Sequence, residues 1–199
     1  MSVPLSQIET LVRYLLGDTT RTMVPGDIFT YENSAVFTLT EANVIAVTEV
    51  LHNDVALTSG QYSFDSSSNK LTITKSLVSG DTIEIQYTYY SNYSSTEVQN
   101  YVEAALVHLS VNNFADFDVA GTNIFPDPCI KEKNLIALVT ATLMEPDNKS
   151  YRLPDLTITV PKDLPLNEKI AKMVAIAKRN THGVFDLVNP FDPDTLINS

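Results

Sequence analysis

The sequence predicts an α+β protein, a bundle of about four helices with an antiparallel β-sandwich or small barrel inserted between the first and second helices. Three observations predict it. Apolar residues recur with a 3.6-residue period near the start, alternate with period two from Ala35 to Tyr90, and return to the helical period from Ser94 onward. The expected division is a helical domain at residues 1–20 and 94–183, a β domain at 28–92, and a tail at 184–199.

Residues 6–16 read as the first helix because Ile8, Leu11, Val12, Leu15 and Leu16 line one face. Ser6 with Glu9 has the spacing of a capping box, and Gly17 supplies the left-handed residue that ends a helix. A single amphipathic helix this short is marginal in water, so it requires later elements to cover it.

The strand block follows. Val36–Leu39, Val44–Leu51, Tyr62–Phe64, Leu71–Ile73 and Ile83–Tyr89 are short apolar or alternating runs. Between them stand Asn53-Asp54, Ser59-Gly60, Ser66 to Asn69 and Ser79-Gly80-Asp81, whose residues tolerate turn backbones or bond locally to them. Several strands at this spacing, joined by short turns, make an antiparallel sandwich or small barrel.

Helical grammar resumes with Ser94 and Glu97, a second capping box ahead of Val98, Tyr101, Val102, Ala105, Leu106 and Leu109. Asp127-Pro128 is then expected as an N-cap with proline at the first helical position, and Pro146 closes the segment. The run Leu135 to Met144 is apolar nearly all round, which predicts the central helix. Leu156, Ile158 and Val160 alternate between prolines, as in an extended arm or edge strand that would pair with a neighbouring subunit or lie on its own bundle. A last helix carries Ile170, Met173, Val174 and Ala177 on one face, with Lys178 and Arg179 near its negative end and Gly183 beyond.

At 199 residues and 44% apolar content the chain is long enough for one or two real cores. No stretch approaches the roughly 20 apolar residues of a membrane span, and the start lacks the pattern of a secretory signal. Cys129, the one cysteine, has no intramolecular partner, which fits synthesis in a reducing cytoplasm. The net charge of -11 is uneven: residues 1–120 hold 14 acidic and 4 basic side chains, against 10 and 9 in the remainder. Nucleic-acid affinity rests on lysine and arginine neutralising phosphates, so the acidic strand block is not expected to grip DNA or RNA.

Chemical motifs are scarce. His52, His108 and His182 are far apart in the sequence, and neither phosphate-cradling glycine loops nor a nucleophile elbow is present. Asp116, Asp118 and Asp127, or Asp192 with Asp194, are candidate calcium ligands without the spacing of an EF-hand loop. Cys129 with His108 is a candidate nucleophile and base, with a packing or capping role for the cysteine as the plainer account. No catalytic, cofactor or metal residue is predicted. Tyr87, Tyr89, Tyr90 and Tyr93 would suit a platform for a sugar or protein, the function of a binding module. Alternation instead assigns Tyr87 and Tyr89 to the core face of Ile83 and Ile85, and leaves Tyr90 and Tyr93 as contacts at the junction with the helices.

The opening Ile8-Glu9-Thr10-Leu11-Val12-Arg13-Tyr14-Leu15-Leu16-Gly17-Asp18, the strand block, and Glu97 to Val111 with the later helices resemble the head-to-tail connector, or adaptor, proteins of tailed bacteriophages. The resemblance implies a structural virion protein of the neck, made in the host cytoplasm. It would form a ring, commonly of twelve copies, between the capsid portal and a tail or nozzle protein, and leave a channel through which DNA passes without sequence-specific binding. The strand block departs from the smallest members of that family, although other adaptors carry comparable insertions. In the family a C-terminal segment commonly docks on the portal. The matching candidates are Phe185, Leu187, Val188, Phe191 and Leu196 in an apolar tail without clear period. Leu156, Ile158 and Val160 are the candidate arm between subunits.

Overall fold

In the computed structural model, residues 3–147, 150–153, 156–159 and 164–179 are described, and they fold as four helices with antiparallel sheets. In chain order the elements are β1 (Val3–Pro4), α1 (Leu5–Leu16), β2 (Thr20–Thr30), β3 (Val36–Thr38), β4 (Val44–His52), β5 (Val55–Ala56), β6 (Tyr62–Asp65), β7 (Lys70–Ile73) and β8 (Thr82–Tyr90). Then come α2 (Ser95–Val111), β9 (Asp118–Ala120), β10 (Asn123–Phe125), α3 (Ile130–Met144), β11 (Ser150–Leu153), β12 (Leu156–Thr159) and α4 (Leu166–Arg179). These divide into two compact units. One is Asp18–Ser94; the other joins the residues up to Gly17 to those from Ser95 onward.

In the helical unit α3 is central, as its sequence predicts. It packs against α1, α2 and α4, and every residue from Leu135 to Thr142 is buried. The polar members of that run are satisfied locally: Thr140 and Thr142 donate their hydroxyls to the carbonyls of Ile136 and Leu138, both at 2.8 Å. Around it lie Ile8 and Val12 of α1, Val98, Val102 and Leu109 of α2, and Ile170, Met173 and Val174 of α4, all buried. Tyr101, expected on the core face of α2, is exposed instead. Lys178 reaches across from α4 and donates to the carbonyl of Asn112 at 2.7 Å.

The start of α1 differs from expectation. Its N-cap is Pro4 rather than Ser6, and no side chain caps it. A sheet does that work: Val3 and Pro4 pair with Ile124 and Asn123, and the Leu5 amide donates to the Thr122 carbonyl at 2.8 Å. Glu9, freed from the cap, is buried and accepts from Arg13 Nε at 2.9 Å and from Gln99 at 3.3 Å. Gly17 ends the helix as expected, with φ 69°. The start of α3 is displaced as well. Cys129, not Asp127, is its N-cap, and the Cys129 amide donates to Glu132 Oε2 at 2.6 Å, the reciprocal half of a capping box.

The strand unit contains two sheets, with strand orders β2-β8-β4-β5 and β3-β7-β6, antiparallel at every pairing. They share one core made by Phe37, Leu39, Val44, Val50, Leu71, Ile73, Ile83, Ile85 and Tyr87. The alternation of β8 sets its geometry, since Ile83, Ile85 and Tyr87 all face inward and none is accessible to solvent. The predicted strands are present. So are turns at Asn53 and Asp54, whose φ values of 48° and 64° suit the short polar side chains found there.

The sequence reading missed β2, which begins at Thr20, ahead of the expected start of the β domain at residue 28. Pro25-Gly26 interrupts its pattern. The structure absorbs them as a register shift between Met23 and Asp27, where the Gly26 amide donates to Glu84 at 3.1 Å. Glycine is required there because a Cβ would collide with the backbone of Ile85. The short pairs β1-β10-β9 were missed too, being only two or three residues long.

Of the candidate arm, Leu156 and Ile158 lie in β12, which pairs with β11 of the same chain from Leu153↔Leu156 to Ser150↔Thr159. Val160 lies outside the described residues. So do the tail positions Phe185, Leu187, Val188, Phe191 and Leu196, together with Gly183, His182, Asp192 and Asp194.

Candidate interaction surfaces

The residues with the most chemical promise are built into turns. His52 ends β4 and Asp81 lies in the loop before β8, and the turn at Asn53 brings them together. His52 Nε2 stands 2.8 Å from Asp81 Oδ2, and Lys75 Nζ lies 3.0 Å from His52 Nδ1. Lysine only donates, so this network assigns the ring proton to Nε2 and leaves no ring nitrogen idle. Asp81 also accepts from the Val78 amide at 2.8 Å and from the Asn53 side chain at 2.8 Å. Those bonds, the Val78 amide first and then Asn53 and His52, hold its carboxyl down to about 2. Asp65 is held at about 2 in the same way by the hydroxyls of Ser68 and Ser67. Both carboxylates accept bonds that tie a loop together, which is turn chemistry rather than a proton-transfer site.

The calcium candidates are dispersed. Asp116 accepts from the Ser110 hydroxyl at 2.5 Å, Asp118 is in β9 opposite Phe125, and Asp127 precedes α3. Among the described residues no three His, Cys, Asp or Glu side chains are grouped to hold a metal ion. Cys129 is exposed at the N-cap of α3, and His108 lies in the last turn of α2.

Two of the four clustered tyrosines are spent on the core. The Tyr87 ring is fully buried, and Tyr89 packs against the same cluster with its ring centroid 6.1 Å from that of Tyr87. The Tyr87 hydroxyl donates to Asp27 Oδ2 at 2.9 Å, and it titrates well above the ordinary tyrosine range because burial and then the Asp27 carboxylate disfavour its anion. Tyr90 is half-buried on the opposite face of β8, so the cluster is split between the two faces of one strand.

The helical unit carries an open, partly apolar surface. A groove of about 560 Å³ runs between the second half of α2 and the segment entering β9, lined by Glu103, Val107, Val111, Phe117, Asp118 and Val119 among others. Val107 and Val111 are one helical turn apart, off the core-facing stripe of α2, and are 63% and 73% exposed. Scattered single apolar residues on a surface are ordinary, but two on one turn beside a groove form a patch. Sequence reading passed over them because it stopped at the stripe from Val98 to Leu109; the surplus apolar residues just outside that stripe were the available signal. The groove's charge is acidic, from Glu103 and Asp118.

Among the described residues no helix is long and apolar enough to cross a membrane. No protein-family model and no curated protein matches the chain.

Proposed function

We propose that this protein is a structural component of a virion, a head-to-tail adaptor that assembles as a ring of twelve copies between the capsid portal and the tail. In that reading the two sheets of the strand unit are a sandwich inserted between the first and second helices of a bundle. The ring encloses a DNA channel, and the molecule acts by joining partners rather than by catalysis. Assembly takes place in the host cytoplasm, and the finished protein resides in the neck of the particle.

The observation that carries the proposal is the order of elements around α3. The chain leaves the helical unit after α1, forms the whole strand unit, and returns with α2, and α1 and α2 both pack on α3. That is the order on which the resemblance to phage adaptors rests. The acidic composition of the strand unit supports a protein that DNA passes without adhering. Burial of Tyr87 and the core packing of Tyr89 weigh against the rival reading, a sugar-binding or protein-binding module that would present these rings to a ligand. The tail at 184–199 and the arm at Leu156, Ile158 and Val160 remain the candidate contacts with the portal and the neighbouring subunit.

Light scattering over a range of concentrations, with and without a portal ring, tests the proposal. A large closed oligomer, alone or on the portal, is the expected outcome. A monomer that ignores the portal under all conditions overturns it.

A further inference from the structure

Three side chains from different elements meet at one end of the strand unit. His52 ends β4, Lys75 follows β7, and Asp81 precedes β8. His52 is paired with Ile83, so its ring points to the face of the sheet on which the Ile83 side chain is buried. Lys75 comes from the other sheet. There β7 pairs with β6 as far as Ile73↔Tyr62, and the Thr74 amide donates to the Gln61 carbonyl at 2.8 Å. The contact of 3.0 Å between Lys75 Nζ and His52 Nδ1 is therefore a tie between the two sheets.

We propose that His52 is a proton-operated latch on this tie. With a neutral ring, Nδ1 accepts from the Lys75 ammonium and joins the sheets at this end. A proton on Nδ1 leaves the ring with two donors and no acceptor, sets two positive charges 3.0 Å apart and expels Lys75, while Nε2 keeps Asp81. The tie thus contributes above the pH at which the ring takes up its proton and is lost as pH falls through it. Its release loosens the connection from β7 to β8, where Leu77 packs on the core shared by the sheets.

The surroundings favour such a response. The His52 and Asp81 side chains are only 13% and 16% exposed, so little water stands between the charges to screen them. Asp81 titrates at about 2 and stays anionic through mild acid, and a lysine ammonium ordinarily keeps its proton there. Imidazole is the group that ordinarily changes charge between about pH 8 and pH 5. Of the other titratable groups nearby, Glu49 on β4 and Asp54 in the turn are exposed. Glu84 is on the opposite face of β8, where it accepts from the Gly26 amide. Tyr31, whose amide donates to the Asp81 carbonyl, brings a phenol, a group that ordinarily ionises far above this range. The latch does not depend on ring assembly.

The test is a nuclear magnetic resonance titration of the isotope-labelled full chain from about pH 8 to about pH 5 at fixed ionic strength. It follows the His52 ring, the Lys75 side chain, and hydrogen exchange at the Thr74 amide corrected for the intrinsic effect of pH. All three are expected to change with one midpoint. Thr74 protection should fall about fivefold on the acid side, the weight of one ordinary hydrogen bond. His52→Gln keeps an acceptor for Lys75 and a donor for Asp81 but takes up no proton, so the response of Lys75 and Thr74 should vanish. Lys75→Met should hold Thr74 at the low protection of the acid state throughout. Circular dichroism checks that both variants are folded, and if the glutamine variant is not, the wild-type midpoints and Lys75→Met decide. A ring whose protonation does not change over this range overturns the latch. So does a Lys75 signal that ignores the ring's midpoint, a response that persists in His52→Gln, or full Thr74 protection in Lys75→Met.

Discussion

The two units of this molecule both bury large side chains, but they differ in what stands at the centre of the core. The strand unit relies on a few large side chains: Tyr87, Leu71, Ile83, Ile85 and Val50 are almost wholly inaccessible and come from strands of both sheets. The helical unit is built around a helix whose buried face includes Ala137, Ala141, Thr140 and Thr142, small residues that leave room for α1, α2 and α4 to press in on several sides. Removing volume should damage either unit, whereas adding volume should be felt most on the small-residue face of α3, because close-packed interiors resist change in either direction.

The sharpest way to break that contrast is Ile85→Ala. Ile85 has no exposed surface, pairs with both β2 and β4, and stands beside the Gly26 close approach, so the cavity has little freedom to collapse. A loss of about 4 kcal/mol in the strand unit is expected, within the range for buried Ile→Ala changes. Each unit has its own core, so urea unfolding followed at 222 nm should retain the helical transition while tertiary signals of the strand unit are lost at lower denaturant. Coincident shifts in both signals would mean that the units unfold as one.

The converse change is Ala137→Leu in the fully buried run of α3. It adds a methine and two methyl groups where helices already meet, and overpacking of this kind costs about 2 kcal/mol. Thermal unfolding should show the loss on the helical transition, leaving the strand unit at its wild-type midpoint. A stabilised or unchanged helical transition would show that α3 is loosely packed, and the contrast between the units would fail.

Legibility follows the same division. The strands from Val36 to Tyr89 are readable because one face of each is buried and the other is wet, so burial writes itself into a period of two. The identity of α3 as the central helix is readable because it is apolar all round. What escaped reading was supplied by partners distant in sequence. The α1 N-terminus is satisfied by Thr122 and by a two-residue strand, which no local capping signal can report. The strand β2 has a proline and a glycine in its middle, and only the register shift against β8 makes room for them. The groove went unread because residues that face solvent are under no periodic constraint. The exposed Ile130 likewise gives no periodic signal, since it stands at the first position of a helix whose start differs from the expected one.

The smallest expected effect separates the units by acid rather than by volume. Asp65 and Asp81, both in the strand unit, titrate at about 2 instead of the ordinary 3.8. A carboxyl whose folded value lies below its unfolded value contributes stability above the unfolded value, and loses it as pH falls through the folded one. The bonds to Val78, Asn53 and His52 should therefore support the loop before β8 above about pH 4, and weaken progressively toward pH 2. Both carboxyls are at the surface, so solvent screens the effect and the change in midpoint should be small. Asp81→Asn keeps the shape of the side chain and removes its titration. Methyl resonances of Ile83, next to this loop, should shift between pH 4 and pH 2 in the wild type and much less in the variant, at fixed ionic strength. An equal shift in both would assign the acid response to Asp65 or to other carboxyls, and the Val78 and Asn53 bonds would then hold the loop by geometry alone.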